Sequence, residues 1–576
     1  MPASLTPVEA IARQRPYKVP RAATPVDLWL DGNEGAPPPD TLLKALADVD
    51  GEGLRRYPST ESLRDLLSEH VGVERHQLLV TAGADDAIDR VCRAVLTGGR
   101  NMVVMVPTFA MIPRFAELTG AEVRAVEGGD EGFPTEKLLA AADDATALIA
   151  LVSPNNPTGV AISSDDIERI AGACPQALVM VDHAYGEFGG DDFTRRAPTF
   201  DNVVVTRTLS KAWGLAGLRV GYAVADEARI QWLATAGKPY AVAHPSTLIA
   251  ARWLREGQDQ VAEFVSRVAQ ERRRLHDLFD ELSIPRSRSV ANFVFARVGD
   301  GRWWRDAMAG FGIGVRAFPN RRGLEDAMRI ACPGDEASLS RVEHAIRTIA
   351  RPQALLLDVD GVMVDVSRSY RRAIVETAAH FGAEVDEEAI AAAKQAGDAN
   401  NDWEVTRRLL ADRGIEVSLA EVTRVFEEWY QGTDERRGLW REESLWMDAA
   451  LLERLREKGL ALGIVTGRPR ADARRFLDHF GLEDYFSSVV CMEDGPNKPH
   501  PAPVEQAMAE LNVERAWFVG DTPDDMRAAR GAGALPLGVV APGHEGEAME
   551  EALLAAGGAM VLERLEELED LMEGLP

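Results

Sequence analysis

The stretch TRTLSKAWGLAGLR, residues 206–219, decides the fold of the first part of the chain. It continues the apolar run NVVVTRT (202–208), which predicts a strand, and it places Lys211 and Arg219 just beyond that strand. Ligands of open α/β sheets bind where strands end. The stretch therefore predicts a binding site with a lysine at its centre.

Outward from this stretch, residues 77–225 alternate short apolar runs with amphipathic ones. The runs predict strands at QLLV (77–80), NMVVMVP (101–107), ALIALVSP (147–154), ALVMVD (177–182) and NVVVTRT (202–208). Helical patterns lie between them, and one carries Ser163 and Asp166 at capping-box spacing. Strands that alternate with helices favour a mainly parallel sheet covered on both faces.

Four more polar clusters follow the predicted strands: TAGADD (81–86), PTF (107–109), SPNNPTG (153–159) and VDHAY (181–185). Each cluster alone is typical of a turn or a helix cap. Together, over residues 15–350, they resemble the class I/II aminotransferases of fold type I, and within them the histidinol-phosphate aminotransferases. The segments RPYKVPRA (15–22), LDGNE (30–34) and RRYPS (55–59) also fit that family.

The resemblance implies pyridoxal 5′-phosphate (PLP) as the cofactor. Lys211 is expected to bind it and to move the proton at the substrate's α-carbon, while the carboxylate of Asp182 keeps the pyridine nitrogen protonated. The other expected cofactor contacts are Asn156 and Tyr185 at the ring oxygen, Phe109 over the ring, and Gly83, Ala84, Asp85, Thr208, Ser210 and Arg219 at the phosphate. Tyr57 is expected to reach the phosphate in a neighbouring subunit, which predicts a homodimer.

Substrate anions are expected to meet Arg316 and Arg329, with Tyr17 beside the substrate phosphate. The sequence departs from the family at three places. His183 stands where the family has glutamate, Phe109 replaces a common tyrosine, and YAVAHPS (240–246) differs from the usual segment. None of these departures removes a catalytic group.

A second strand-rich part follows Arg351-Pro352-Gln353 and begins with ALLLDVD (354–360). Further strands are predicted at LGIVTG (462–467) and AWFVGD (516–521), and residues 366–447 are helical in pattern. We predict one domain over 1–350, with small-domain parts at about 1–45 and 285–350 around a large domain at about 46–284. The second domain covers 352–576, with a core at 354–365 and 448–576 and a cap at about 366–447.

The second part carries paired carboxylates at DVDGVMVD (358–365) and GDTPDD (520–525). Carboxylates one residue apart repel each other unless a cation lies between them. With Thr466 and Lys498, these segments resemble the four motifs of the haloacid dehalogenase (HAD) superfamily over residues 352–576.

This resemblance implies a phosphatase in which Asp358 is the nucleophile and Asp360 is the general acid and base. Thr466 and Lys498 are expected to hold the phosphoryl group. The expected magnesium ligands are the side chains of Asp358 and Asp521 and the backbone carbonyl of Asp360. Asp525 is expected either to be a further ligand or to hold a ligand in place. GDANNDW (397–403) is unusually polar for a helix and predicts either a substrate loop or a turn between helices.

Composition limits the remaining choices. A net charge of −28 excludes nucleic acid and anionic membranes as expected partners. No apolar run is long enough to cross a bilayer, and the first residues lack a secretion signal. The four scattered cysteines predict buried reduced thiols, and we expect a cytoplasmic protein.

The two halves suggest one pathway with small-molecule substrates. Transamination between glutamate and imidazole acetol phosphate gives histidinol phosphate, a phosphate monoester that the second site is built to cleave. This predicts a bifunctional enzyme of histidine biosynthesis. The alternatives for the first half are an aminotransferase for an aromatic or another phosphorylated amino acid and a threonine-phosphate decarboxylase. The alternative for the second half is a general sugar-phosphate or phosphoglycolate phosphatase. A further alternative is that one half has lost catalysis and serves as a binding or oligomerisation module.

Overall fold

The structure is a computed structural model that describes residues 5–130, 132–397, 400–542 and 546–575. It divides into two compact units. The first consists of the stretch up to Val19, Leu30–Arg297 and Met328–Leu339; the second consists of Pro20–Trp29, Val298–Ala327 and the stretch from Ser340 onward. The division near residue 350 and the finer limits expected from the sequence stay predictions.

A seven-stranded sheet forms the centre of the first unit. Its strands are, in order across the sheet, Leu78–Thr81, Gly221–Val224, Val203–Thr208, Leu178–Asp182, Thr146–Val152, Asn101–Val106 and Glu122–Glu127. Gly221–Val224 is antiparallel to both of its neighbours, and the other neighbouring pairs are parallel. This confirms the predicted α/β class with a mixed, mainly parallel sheet.

The two faces of this sheet are buried in separate apolar clusters, as the continuous apolar runs predicted. On the strand Leu178–Asp182, Met180 packs into one cluster, whereas Val179 and Val181 pack into the other. Successive side chains of a strand point to opposite faces, so a strand covered on both sides must be apolar throughout.

Helices cover both faces of this sheet: Gly83–Val95, Met111–Leu118 and Glu227–Ala236 pack into one cluster, and Thr135–Ala141 and Ser164–Ala173 into the other. The other helices of the first unit are Glu9–Ala12, Gly51–Arg55, Glu61–Val71, His244–Glu256 and Gln258–Glu281. The predicted cap is present, because the Ser163 side chain accepts a hydrogen bond from the backbone N–H of Asp166. The remaining strands before residue 350 are Leu28–Trp29, Phe293–Arg297, Ile313–Gly314, Arg316–Ala317 and Ala327–Ala331, with helices Gly301–Gly310 and Glu336–Ala350.

A six-stranded, wholly parallel sheet forms the centre of the second unit. Its order is Ser488–Val490, Ala461–Val465, Ala354–Leu357, Ala516–Gly520, Leu535–Val539 and Met560–Leu562. The helices that follow its strands are Ala450–Glu457, Arg470–Phe480, Ala502–Glu510, Pro523–Gly531, Gly546–Ala555 and Glu567–Glu573. Because Ala354–Leu357 lies between Ala461–Val465 and Ala516–Gly520, the loops after these three strands meet at one edge.

Residues 366–447, which we call the insert, interrupt this sheet after its first strand. The insert contains helices Tyr370–His380, Glu387–Ala396, Asp402–Ala411 and Leu419–Tyr430, and a short hairpin of Gly432–Thr433 with Arg436–Arg437. Val364–Asp365 pairs antiparallel with Ser444–Leu445, so the chain enters and leaves the insert side by side.

All four cysteines are buried and free, as predicted. None of the helices in the described ranges combines the length and the apolar character that a bilayer crossing requires.

Candidate active sites

Asp182 is the last residue of its strand and is almost fully buried. Thr206 of the neighbouring strand donates a hydrogen bond to its Oδ1 over 3.0 Å. Burial raises the pKa of Asp182 to about 7. A cation against this carboxylate would offset the desolvation of its charged form, and the protonated nitrogen of a pyridine ring is such a cation.

Lys211 lies just after strand Val203–Thr208, and its side chain contacts residues from distant parts of the first unit. Its Nζ donates a hydrogen bond to the backbone oxygen of Gly32 over 2.7 Å and lies 5.7 Å from the centre of the Tyr185 ring. The Tyr185 hydroxyl accepts a hydrogen bond of 3.0 Å from Asn33 Nδ2. The structure thus brings the predicted lysine and the predicted tyrosine together.

Hydroxyl and guanidinium groups suited to an anion lie at the same sheet edge. Thr208 Oγ1 and Ser210 Oγ are 2.9 Å apart, and both side chains are buried. Gly83 begins the helix Gly83–Val95 with a φ of +80°, and a Cβ built there would lie 2.9 Å from Arg219 Nη2. Helix N-termini bind phosphate through free N–H groups, so this arrangement fits the phosphate of PLP. Arg219 Nη2 also donates to Asp85 Oδ2 over 2.9 Å, and Ala84 is buried.

Arg329 and Asn156 are in direct contact. Arg329 Nη1 donates to Asn156 Oδ1 over 2.6 Å, and Nη2 donates to the backbone oxygen of Asp31. A predicted substrate arginine therefore lies beside a predicted cofactor contact. Asn33 was missed by the sequence reasoning: Gly-Asn is an ordinary turn pair, and its contact with Tyr185 spans 152 residues.

The other predicted residues of the first site are more dispersed. Tyr57 is 81% exposed and stacks on Tyr240, with 4.6 Å between ring centres. Tyr17 is exposed, and Phe109 is half-buried against the sheet core. Arg316 belongs to the second compact unit, where its guanidinium lies 5.7 Å from the Phe318 ring centre. The roles assigned to these four residues stay predictions, as do those of the other residues of this site.

His183, the main departure in sequence, has a structural explanation. Its Nδ1 lies 2.5 Å from the backbone oxygen of Ser153, and its Nε2 accepts a hydrogen bond from the N–H of Phe193 over 3.2 Å. Burial lowers the pKa of His183 to about 4, so the ring is neutral at neutral pH. A neutral imidazole can donate at one nitrogen and accept at the other, which a glutamate carboxylate cannot do.

In the second unit, Asp358 directly follows the strand Ala354–Leu357 and is buried. Lys498 Nζ lies 2.9 Å from Asp358 Oδ2 and 2.6 Å from Asp525 Oδ1. Burial raises the pKa of Asp358 to about 6. Burial disfavours the charged ammonium of Lys498, but the two carboxylates outweigh it and raise the pKa of Lys498. The predicted nucleophile and the predicted phosphoryl-binding lysine therefore form an ion pair.

Carboxylate oxygens of Asp358, Asp521 and Asp525 all lie within 4.8 Å of one another, and all three side chains are buried. Burial raises the pKa of Asp521 to about 8. Oxygen ligands in this arrangement suit Mg²⁺, whose charge would offset their repulsion. Asp525 Oδ2 accepts hydrogen bonds from the N–H and the hydroxyl of Thr522, over 2.9 and 2.7 Å. Thr522 thus occupies one oxygen of Asp525, and Lys498 pairs with the other. This favours a role for Asp525 in holding the metal ligands in place over a role as a ligand.

Asp360 contacts Arg468, a residue that the sequence reasoning missed. Arg468 Nε and Nη2 both donate to Asp360 Oδ1, over 2.8 and 2.6 Å. The backbone N–H of Arg468 donates to Thr466 Oγ1 over 3.2 Å. The predicted motif LGIVTG (462–467) ends at the residue before Arg468. Arg468 therefore lies only two positions beyond Thr466, which the sequence had already indicated as a site residue.

The insert also reaches this site. Asn400 Nδ2 donates to the backbone oxygen of Lys498 and to Asp524 Oδ2, each over 3.0 Å. A small pocket is lined by Asp360, Tyr370, Gly467, Arg468, Pro469, Met492 and residues 400–403. The described residues of GDANNDW before Asp402 lie between the helices Glu387–Ala396 and Asp402–Ala411, so the segment connects two helices, as the turn interpretation predicted. Its position at the pocket keeps the substrate-loop role as a prediction, and Asp398 and Ala399 lie outside the described residues.

Both units are therefore α/β structures with polar groups at strand ends, the arrangement of a chain with two enzyme sites. The sequence pattern described as aminotransferase class I and II matches residues 29–346, and that of haloacid dehalogenase-like hydrolases matches residues 352–533. The chain belongs to the class I and II aminotransferases, and its C-terminal part is a haloacid dehalogenase-like hydrolase domain. Both resemblances predicted from sequence are confirmed.

Two individual relatives are similar to parts of this chain. The histidinol-phosphate aminotransferase of Roseiflexus castenholzii is 36% identical over 357 residues, which cover 58% of this chain and 95% of the relative. A Phytophthora nicotianae protein named imidazoleglycerol-phosphate dehydratase is 43% identical over 240 residues, 39% of this chain. The match spans only 53% of that relative, about half of its length.

Solved structures support the fold of the first part. The histidinol-phosphate aminotransferase of Sinorhizobium meliloti, in complex with pyridoxal-5′-phosphate, aligns with a TM-score of 0.54 at 23% identity. The alignment covers 61% of this chain and all of that one. The likeness identifies the fold type I architecture.

Proposed function

We propose that this chain is a bifunctional enzyme of histidine biosynthesis that works as a homodimer in the cytoplasm. Its first part would transfer an amino group between glutamate and imidazole acetol phosphate to give histidinol phosphate. Its second part would hydrolyse that phosphate monoester to histidinol in a magnesium-dependent reaction. The observation that carries the proposal is the presence, in one chain, of a part 36% identical to a histidinol-phosphate aminotransferase and a buried aspartate–lysine cluster suited to phosphoryl transfer.

In the first reaction, bound PLP would withdraw electrons from the substrate's α-carbon. Lys211 would hold the cofactor, and its Nζ would move the proton at that α-carbon. Asp182 would hold the positive charge of the pyridine nitrogen. Thr208, Ser210 and Arg219 would hold the cofactor phosphate, and Arg329 and Arg316 would bind anionic groups of the substrates.

In the second reaction, Asp358 would attack phosphorus while the bond to the alcohol oxygen breaks. Asp360 would donate a proton to that oxygen and later take one from the attacking water, which releases inorganic phosphate and regenerates Asp358. Lys498 and Thr466 would hold the phosphoryl oxygens. Asp358, Asp521 and the backbone carbonyl of Asp360 would bind Mg²⁺, whose charge offsets that of the phosphoryl group.

The homodimer is supported by the surface around Tyr57. Its exposed ring stacks on Tyr240, also exposed, and lines a pocket with Ser59 and His244. Exposed apolar patches rimmed by polar residues mark interaction surfaces, and this aromatic pair would form part of such a patch. A partner's PLP phosphate would be the group that Tyr57 reaches.

Histidinol phosphate tests both activities in one preparation. With PLP and 2-oxoglutarate, we expect the purified protein to form glutamate. With Mg²⁺ and no keto acid, we expect phosphate release from histidinol phosphate to exceed that from phosphoserine, threonine phosphate, phosphoglycolate and glucose 6-phosphate. Glutamate formation without this preference would reject the second step, and absence of both would reject the pathway.

Gly361 offers a test of the metal site. Its φ is +74°, and a Cβ built there would lie 2.3 Å from Asp521 Oδ2. Gly361→Ala should therefore displace that carboxylate and weaken Mg²⁺ binding about 10- to 100-fold, as changes next to metal ligands do. The measurement is the Mg²⁺ concentration that half-saturates phosphate release.

Gly414→Ala is the matched control, because Gly414 has a φ of +77° and nothing within 4 Å of the added Cβ. Both variants should lose about 1–2 kcal/mol of stability from the left-handed backbone. Only Gly361→Ala should need more Mg²⁺. An equal Mg²⁺ requirement in the two variants would contradict the assignment of Asp521.

A further inference from the structure

Arg468 is the largest charged side chain that the second unit buries completely, at 1% exposure among the described residues. It comes from the loop after strand Ala461–Val465, and the predicted acid–base residue Asp360 comes from the loop after Ala354–Leu357. These strands are neighbours in the sheet, which is why the two side chains meet. Such burial of a guanidinium requires nearby anions and acceptors.

The second anion beside Arg468 comes from the insert. Arg468 Nη1 and Nη2 donate to Glu443 Oε2 and Oε1 over 3.2 and 3.1 Å, and the Tyr430 hydroxyl donates to Glu443 Oε1 over 2.9 Å. The guanidinium also lies 4.9 Å from the centre of the Tyr370 ring. Insert residues therefore fix the guanidinium through Nη1 and Nη2, whereas Nε and Nη2 reach Asp360.

The hydrogen-bond pattern distinguishes the two oxygens of Asp360. The two Arg468 nitrogens that donate to Asp360, Nε and Nη2, both donate to Oδ1. A guanidinium has donors and no acceptor, so Oδ1 serves as the acceptor of two charged donors, which disfavours a proton on that oxygen. The hydrogen-bond pattern therefore favours Oδ2 as the oxygen that carries a proton.

We propose that Arg468, held by Glu443, is a positioning residue that reserves Oδ2 of Asp360 for proton transfer. This inference rests on the proposed phosphatase function. In the first step the proton on Oδ2 goes to the alcohol oxygen as its bond to phosphorus breaks. In the second step a water proton goes to Oδ2 as the water oxygen attacks phosphorus. Because Glu443 belongs to the insert, the orientation of the acid depends on how the insert packs.

The test compares two leaving groups in the full chain with Mg²⁺. An alkyl phosphate must receive a proton when its alcohol leaves, whereas p-nitrophenyl phosphate releases a stable anion without one. For Arg468→Met, kcat/KM for the alkyl phosphate should fall about 10²-fold more than that for p-nitrophenyl phosphate, the lower end of what proton transfer contributes. Arg468→Lys should restore part of the difference, and Glu443→Gln should give a smaller difference of the same sign.

Arg475→Met is the matched control. Arg475 also joins the core to the insert, through Asp472 and Gln431, and within the described residues it does not bond to Asp360. Its loss should leave the ratio of the two kcat/KM values unchanged. If kcat/KM fell equally for both substrates in the Arg468 and Glu443 variants, the proposal would be overturned. Arg468 would then only stabilise the packing between the core and the insert. A wild-type protein inactive on both esters would instead reject the phosphatase function itself.

Discussion

Lys211→Ala is expected to abolish transamination and leave magnesium-dependent phosphate release at the wild-type level. Proton transfer by a positioned side chain contributes about 10²–10⁴-fold to a rate, so we expect a loss of roughly 10³-fold or more. Lys211 Nζ lies in a part-buried position between the Gly32 carbonyl and the Tyr185 ring, and alanine leaves no amine there.

Two measurements separate this effect from misfolding. The visible absorption band of bound PLP should disappear in Lys211→Ala, and phosphate release by the same preparation reports an intact second unit. Lys238→Ala removes an exposed lysine of the first unit and should change neither the band nor the rate. Retention of the band and of turnover in Lys211→Ala would reject the assigned role.

The strands and their end-of-strand residues were predictable because burial on both faces leaves an apolar signature. The run ALVMVD predicted the strand Leu178–Asp182, and the position of Asp182 at its end follows from that assignment. The same reasoning placed Asp358 after Ala354–Leu357. In a parallel sheet such residues share one edge, so sequence alone could group them.

Contacts made through the insert were not predictable in the same way. Glu443 reads in sequence as one acidic residue in the polar segment REESLW, yet it is buried against Arg468. The orientation of the insert is set by helix packing, which a single sequence does not encode as a local pattern. Likewise, nothing near Asn33 indicates that it donates to Tyr185.

The complementary variant, Asp358→Asn, should lose phosphate release by roughly 10³-fold or more while transamination continues, because an amide cannot act as the nucleophile. Folding should survive the change. Lys498 keeps its contact of 2.6 Å with Asp525. The substitution also removes one carboxylate from a cluster of buried acids, in which burial raises the pKa of Asp358 to about 6 and that of Asp521 to about 8.

Removing a charge from a buried cluster relieves both repulsion and desolvation. Thermal unfolding without Mg²⁺ should therefore occur at a temperature no lower than that of the wild type. Added Mg²⁺ should raise that temperature less than in the wild type, because a ligand stabilises only through the sites that bind it. Transamination by Asp358→Asn at the wild-type rate is the internal control. An unchanged response to Mg²⁺ together with normal phosphate release would place both the nucleophile and the metal at other residues.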